Sequence, residues 1–458
     1  MDSKDSVGAA GTTPVAADGS DADWFGHPPQ LARLFTTEMW ERFGYYGMRA
    51  LLTLYLAKHF LFSDGTTTGL YGGFTALVYL TPLAGGLIAD RYLGSKRSVK
   101  FGALMMALGY FILCFGGETA KPHATIEGQR YEVVVENAVD RPSSTGEERR
   151  YVIDHGQRLL VRGNDDGTVA LLADNGSVAR VVPKGGFESD GTRSPLFMMI
   201  LLLGLSLVTV GNGFFKPNIS TMVGALYPPG DARKDAGFTI FYMGINVGAV
   251  LSQLLCPWLA DAVGWWAGFG LAAVGMLCSW ALVQFDGQRL AGYGEPPTGV
   301  PDRRWPIYIG AAVAVPLAMF LFQNLMTTVA VESGAGVLGY MAALPLMGKL
   351  LFGTFLAGVP AILFYAWRTG SRVEFQMMVA AMVLIVFNTV FWTLFEQAGS
   401  SLTLFADRNT DLSVTIVPPL GHLHQREQRN SRAEGHRRQE SRVRRVPVDR
   451  ERLDSRHS

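Results

Sequence analysis

Residues Leu196–Val210 read LFMMILLLGLSLVTV, and residues Met377–Val390 read MMVAAMVLIVFNTV. Each is apolar on every face of a helix, so a soluble fold would need a very large core around both. A membrane-spanning helix needs about 20 mostly apolar residues. Working outward from these two runs, nine stretches qualify: 36–62, 68–90, 99–117, 195–226, 237–260, 264–284, 306–325, 341–366 and 376–405. The composition agrees. Of 458 residues, 48% are hydrophobic and 17% charged, where a soluble domain carries roughly 25% charged. Lys and Arg total 40 against 39 Asp and Glu. That balance gives no basis for a nucleic-acid partner. Cys114, Cys256 and Cys278 all lie in apolar runs and make neither a disulfide framework nor a metal cluster. The spans show no nucleophile–base arrangement and no phosphate loop, which argues against an enzyme.

The expected fold is an all-α polytopic membrane protein with a small extracytoplasmic β insertion. The N-terminal 30 residues lack the basic region and short apolar core of a cleaved signal, so the first span acts as its own insertion signal. Orientation follows from Lys and Arg in short loops. One side carries Arg91, Lys96, Arg97 and Lys100, then Arg233 and Lys234, then Arg289, Arg303 and Arg304, then Arg368 and Arg372. The loops near 63–69, 261–263 and 326–340 have none. The basic side is therefore cytoplasmic, together with the N-terminus.

These assignments divide the chain as follows. Residues 1–33 form a disordered cytoplasmic segment and 34–117 hold three spans. The polar insertion 118–194 lies outside. Three more spans occupy 195–285, and 286–305 form a cytoplasmic loop. A helical hairpin covers 306–366, and a last span covers 373–405. An Arg-rich tail occupies 413–458. In the insertion, YEVVVE (131–136), RYVI (150–153), RLLV (158–161), TVALLA (168–173) and SVARVV (177–182) read as strands. Asp166-Gly167 and Asn175-Gly176 supply turns, and a small sheet, in meander form, is expected. A protein partner for it is not legible. The tail holds eleven Arg and four of the eight His between Gly421 and Ser458. It cannot form a packed core; a disordered tail and a shifted reading frame both fit it.

The chemistry concentrates on the first span, which opens TTEMWERFGYYGMRALL (36–52). Glu38, Glu41, Arg42, Tyr45, Tyr46 and Arg49 fall on one face of a helix, within about 140°. A charge at the bilayer centre costs at least about 2.5–3.5 kcal/mol, so this row faces a wet cavity or charged partners. Lys216 sits in NGFFKPNIS, beside Pro217, where it wants a carboxylate partner. Asn246 sits in FYMGINVGA, flanked by small residues that allow close helix approach. Glu396 sits in FWTLFEQAGSS, where an uncompensated carboxylate could exchange protons. Four spans each offering polar groups point to a common central site. Lys349 has no evident partner and is expected to face lipid or the interface. In GGLIADRYLGSKR (85–97), Asp90 and Arg91 are expected to form ion pairs that tether two helices and break when they move.

Five ordered segments together resemble the proton-dependent oligopeptide transporter family of the major facilitator superfamily. They are EMWERFGYYGMR (38–49), GGLIADRYLG (85–94), GNGFFKPNIS (211–220), FTIFYMGINVGA (238–249) and FEQAGSSLTLFADRNTD (395–411). The resemblance covers about 34–116 and 195–412. It implies a six-helix N-terminal bundle, an extra hairpin at 306–366 inserted between two halves, and the seventh core helix. The family has twelve core spans, so the remaining five are expected in an intact form. The resemblance also implies proton-driven uptake of di- and tripeptides across the plasma membrane by alternating access; the residues alone leave open a symporter for another carboxylate or anionic solute, and a non-transporting receptor or regulatory half-transporter that uses the external sheet. No cofactor is implied; protons serve as the coupling ion. On that pattern Glu38, Glu41 and Arg42 form a coupling motif, and Arg42 and Lys216 meet the peptide carboxylate. Tyr45, Tyr46 and Tyr79 line the pocket, Asn246 bonds the peptide backbone or amino end, and Glu396 exchanges a proton and pairs with Arg49.

Overall fold

The structure is a computed structural model that describes residues 24–136, 149–164, 166–326 and 336–410. The Arg-rich tail expected over 413–458 and the first 23 residues lie outside the described residues. The first helix, α1 (Gln30–Leu54), starts earlier than expected. The segment 24–33 is not a disordered lead-in: Trp24 and His27 exchange backbone hydrogen bonds of 2.9 and 3.0 Å. His27 Nδ1 also lies 2.9 Å from the Tyr227 hydroxyl. Bulky aromatics on both sides of a tight turn give this short segment something to bury.

Two further helices complete the first group, α2 (Asp64–Ile88) and α3 (Ser95–Leu113). Ser63 caps α2 by accepting from the Thr66 amide. Beyond the insertion run α4 (Pro195–Ala225), α5 (Lys234–Ala262) and α6 (Trp265–Gln284). Pro195 begins α4, where its missing N–H costs no hydrogen bond. The hairpin region consists of α7 (Arg304–Met326), a short α8 (Gly336–Ala343) and α9 (Leu346–Thr369). The helix expected over 341–366 is thus displaced and interrupted, because Pro345 cannot donate to the preceding turn. Next comes α10 (Arg372–Phe395), opened by a reciprocal cap between Ser371 and Glu374. The span expected over 376–405 also breaks, at a tight turn from Glu396 to Gly399, and a separate α11 (Ser401–Asn409) follows.

Seven helices among the described residues are long and apolar enough to cross a membrane by length and composition. Neither α1 nor α3 is among them. Charged residues interrupt both: Arg33, Glu38, Glu41, Arg42 and Arg49 in α1, and Lys96, Arg97 and Lys100 in α3. They nonetheless lie inside the bundle. α1 packs on α5 and α6, and α3 on α4 and α6.

Glycines set these approaches. A Cβ at Gly102 would stand 2.5 Å from the Gly211 carbonyl oxygen, and one at Gly109 would stand 2.8 Å from that of Gly204. The two pairs are one heptad apart on both α3 and α4, the spacing of closely crossing membrane helices. On α5, Gly244 and Gly248 press on the backbone of α1 at Phe35 and Met39.

The insertion is a seven-stranded antiparallel sheet in the order β6-β5-β4-β3-β2-β1-β7. Its strands are β1 (Lys121–Ile126), β2 (Gln129–Glu136), β3 (Arg149–Asp154), β4 (Gln157–Gly163), β5 (Val169–Leu172), β6 (Val178–Val182) and β7 (Phe187–Thr192). Six strands meander, and the seventh returns to pair with the first, with Ala124 opposite Ser189. The five runs legible in the sequence are β2 to β6. KPHATI and FESDGT carry no clear alternation, which hid β1 and β7. Ala124, Ile126, Val133, Val152, Leu159, Leu171 and Val182 gather into one buried cluster. Arg180 on β6 pairs with Glu127 at the β1–β2 turn, so the sheet curls around that cluster. It is fastened to the link between α1 and α2: Arg193 donates to the Phe60 and Leu61 carbonyls at 2.6 and 2.7 Å.

Candidate functional site

The row on α1 turns into the protein. Glu38, Glu41, Arg42 and Tyr45 are buried. Arg42 Nε donates to Glu38 Oε1 at 2.7 Å and lies 2.8 Å from Glu41 Oε2. One cation therefore sits between two carboxylates on its own helix. Glu38 Oε2, both Glu41 oxygens and the Tyr45 hydroxyl are buried with no hydrogen-bond partner among the described residues. Buried polar groups left in this state carry a desolvation cost of about 1–3 kcal/mol each, more where charged.

Two turns further along, Arg49 reaches another helix. Its Nη2 pairs with Glu396, where α10 breaks, and its Nε donates to the Tyr71 hydroxyl on α2. The Arg49 guanidinium also lies 5.5 Å from the centre of the Tyr71 ring. Beside it, the Thr53 hydroxyl donates to the Gly399 carbonyl. The late end of α1 and the end of α10 are thus joined through a cation and a carboxylate 347 residues apart.

Lys216 on α4 does not find a carboxylate within ion-pair distance among the described residues. Its Nζ instead lies 4.5 Å from the centre of the Tyr79 ring, a cation–π contact. It is within electrostatic reach of Arg42, Glu41, Glu38 and Arg49. Tyr46 is in the same field, with Arg42, Glu41, Arg49 and Tyr79 around it. The rings of Tyr45 and Tyr46 meet edge to face at 5.3 Å. The structure therefore gathers Glu38, Glu41, Arg42, Tyr45, Tyr46, Arg49, Tyr79, Lys216 and Glu396 around one region.

Asn246 is not gathered by contact. It is exposed, and its Nδ2 donates to the Tyr242 carbonyl of its own helix at 3.1 Å. The cause is helical geometry. Gly244 and Gly248 face α1, and Asn246 lies two residues from each, about 200° around the helix. Lys349 is exposed on α9.

The helix-tethering pairs expected of Asp90 and Arg91 belong to their neighbours instead. Among the described residues, Asp90 and Arg91 make no ion pair. Lys96, at the start of α3, lies 2.9 Å from Asp286 and 3.8 Å from Glu295. Arg97 lies 3.9 Å from Asp302. Gly94 explains the offset: at φ +77° it swings the chain out of the wide turn at 89–93 and aims the next residues at the loop after α6. Burial pushes the Asp286 carboxyl up, but the Lys96 ammonium and the Leu290 amide more than reverse this and hold it below the usual carboxylate range.

Three groups escaped the sequence reading. Tyr71 lies eight residues before Tyr79 on α2, about 80° around the helix, so spacing alone did not expose it. Asp407 pairs with Lys58 at 2.6 Å. Arg408 grips Asp64 through two contacts of 2.7 Å. Both belong to FEQAGSSLTLFADRNTD, so their segment was noticed but their partners were not.

A bundle of long apolar helices with a row of ionisable and phenolic groups turned inward defines a multi-pass membrane protein of the major-facilitator type. Comparison with known proteins narrows this. The family profile described as PTR2: POT family matches residues 96–289. The peptide transporter YePEPT of Yersinia enterocolitica is 30% identical over 411 residues, covering 85% of this chain and 62% of that protein. Dipeptide and tripeptide permease A of Cronobacter turicensis is 26% identical over 396 residues, covering 85% and 59%. A crystal structure of the peptide transporter POT, a mutant in complex with sulfate, superposes with a TM-score of 0.56 at 25% identity, covering 86% of this chain and 64% of that one. The chain is thus similar to the POT family, and the relatives it matches are named as peptide transporters and as a dipeptide and tripeptide permease. It spans about three fifths of the length of the curated relatives it matches.

Proposed function

We propose that this chain provides the proton-coupling and carboxylate-binding part of a symporter that imports di- and tripeptides by alternating access. One observation carries the reading: Arg49, on the same helix face as Arg42 and its two glutamates, is paired with Glu396 at the break after α10. Protonation of Glu396 removes that partner and frees both the cation and the helix end. A peptide carboxylate then competes for Arg42 and Lys216, while Glu38 and Glu41 hold Arg42 in place. In this way proton and peptide bias one equilibrium, as coupling between two sites requires. Tyr45, Tyr46 and Tyr79 offer ring faces and hydroxyls to the peptide, and Asn246 a hydrogen bond to its backbone or amino end. Glu38 and Glu41, short of donors, are secondary proton acceptors. Asp90 and Arg91 act in the loop that reshapes as the helices move.

The relatives named above as peptide transporters and as a dipeptide and tripeptide permease support the substrate class. The basic loops support a cytoplasmic N-terminus in the plasma membrane. Uptake of labelled dialanine into vesicles with an imposed inward proton gradient tests the reading. Gradient-driven accumulation is expected in the wild type, and Glu396→Gln is expected to abolish it while leaving peptide exchange. Accumulation that is equal in Glu396→Gln, or that ignores the gradient, overturns it.

A further inference from the structure

A cleft of about 500 Å³ lies between α2, α4 and α7, away from the charged row. Its walls are apolar, formed by Ala84, Ile88, Val210, Phe214, Ile307 and Ala314. Thr81 closes the inner end, its hydroxyl donating to the Thr209 carbonyl. Tyr92 and Arg303 form the mouth, with the guanidinium 5.6 Å from the centre of the Tyr92 ring. From Thr81 to Tyr92 is eleven residues, about 16 Å along a helix. Half of a hydrocarbon core of about 30 Å is about 15 Å. The cleft therefore has the depth of one leaflet.

Its two ends differ in chemistry, and that difference selects an occupant. Arg303 makes no ion pair among the described residues, whereas Arg304 and Arg97 both turn to Asp302. Arg303 thus presents an uncompensated guanidinium, suited to phosphate oxygens, above an apolar slot. Trp305, largely exposed next to it, is an amphipathic ring of the kind found at headgroup level. Basic pockets between spanning helices on the cytoplasmic side bind acidic headgroups.

We propose that this cleft holds one acyl chain of an anionic phospholipid from the leaflet facing the basic loops, with the phosphate on Arg303 and the chain running to Thr81. Gly310 keeps the slot open, since a Cβ there meets nothing within 4 Å. A Cβ at 310 therefore meets no neighbour, and a larger side chain there enters the space proposed for the lipid.

The test uses the whole chain, purified in mild detergent and exposed to mixed phosphatidylglycerol and phosphatidylcholine, with bound lipid identified by native mass spectrometry. The wild type is expected to retain phosphatidylglycerol in preference. Arg303→Gln is expected to lower its affinity about fivefold or more, the effect of losing one basic contact near a membrane surface. Arg303→Lys is expected to restore most of it. Gly310→Leu, which leaves Arg303 in place, is expected to lose the lipid with unchanged helix content. Equal retention in the wild type, Arg303→Gln and Gly310→Leu overturns the proposal. So does equal binding of phosphatidylcholine by the wild type. Peptide uptake is not part of this readout, so the lipid site and the transport reading stand or fall separately.

Discussion

Lys216 is a cation with an aromatic face 4.5 Å from its Nζ and no carboxylate at ion-pair distance among the described residues, which on the proposed reading leaves its charge to a ligand. Hydrogen bonds to charged groups contribute about 1.5–3 kcal/mol, roughly 10- to 150-fold in affinity. Lys216→Gln should weaken dialanine binding within that range in a competition assay, and Lys216→Arg should recover part of it; unchanged affinity would remove Lys216 from the site. Asp286 gives a pH test. Its carboxyl is held below the usual range, chiefly through Lys96 against the cost of burial. Its contribution is therefore full above the ordinary Asp pKa of about 3.9 and fades as pH falls through the lower folded value. Asp286→Asn should reduce the melting temperature at neutral pH and leave it nearly unchanged in strong acid. The α1 row was legible at this scale because helical spacing alone puts offsets of 3, 4, 7, 8 and 11 on one face. The partner of Lys96 was not, because it lies 190 residues further on, a distance that no local pattern encodes. The face that Asn246 takes was not legible for a related reason: small flanking residues signal a close approach but not which face makes it.

At the scale of elements, α3 and α4 are held by glycines that leave no room for a side chain. Adding a methyl at Gly102 puts it 2.5 Å from the Gly211 carbonyl oxygen and 2.8 Å from the Phe215 nitrogen. Both are backbone atoms and cannot swing aside. Overpacking costs about 1–3 kcal/mol, more than the helix propensity of about 1 kcal/mol that alanine adds over glycine. Gly310 has open space, so there the propensity gain stands alone. Gly102→Ala should lower the melting temperature and Gly310→Ala should hold or raise it; the same sign at both positions would refute this packing account. Helix existence was readable from apolar length, whereas ends were not. Pro345 divided the hairpin's second helix, and the polar turn at Glu396–Gly399 split the last span. In both places the apolar run continues past the break, so hydropathy cannot mark it.

At the scale of the whole molecule, three ion pairs join the end of α1 and the start of α2 to the region after α10: Arg49–Glu396, Lys58–Asp407 and Asp64–Arg408. The last two are solvent-exposed, and such pairs contribute about 0–1 kcal/mol each. The first is mostly enclosed, so on the proposed mechanism it is the pair that holds this end shut. Lys58→Met should therefore change dialanine uptake little and Glu396→Gln a great deal; the reverse order would move the gate to the surface pairs. The account as a whole rests on the α1 row and Lys216 facing one water-filled chamber. Thiol labelling tests this directly. In a chain with Cys114, Cys256 and Cys278 replaced by alanine, Tyr79→Cys places a thiol beside Lys216. A membrane-impermeant maleimide should label it, and dialanine should protect it. Labelling only by a lipid-soluble reagent, with no protection by dialanine, would contradict the account.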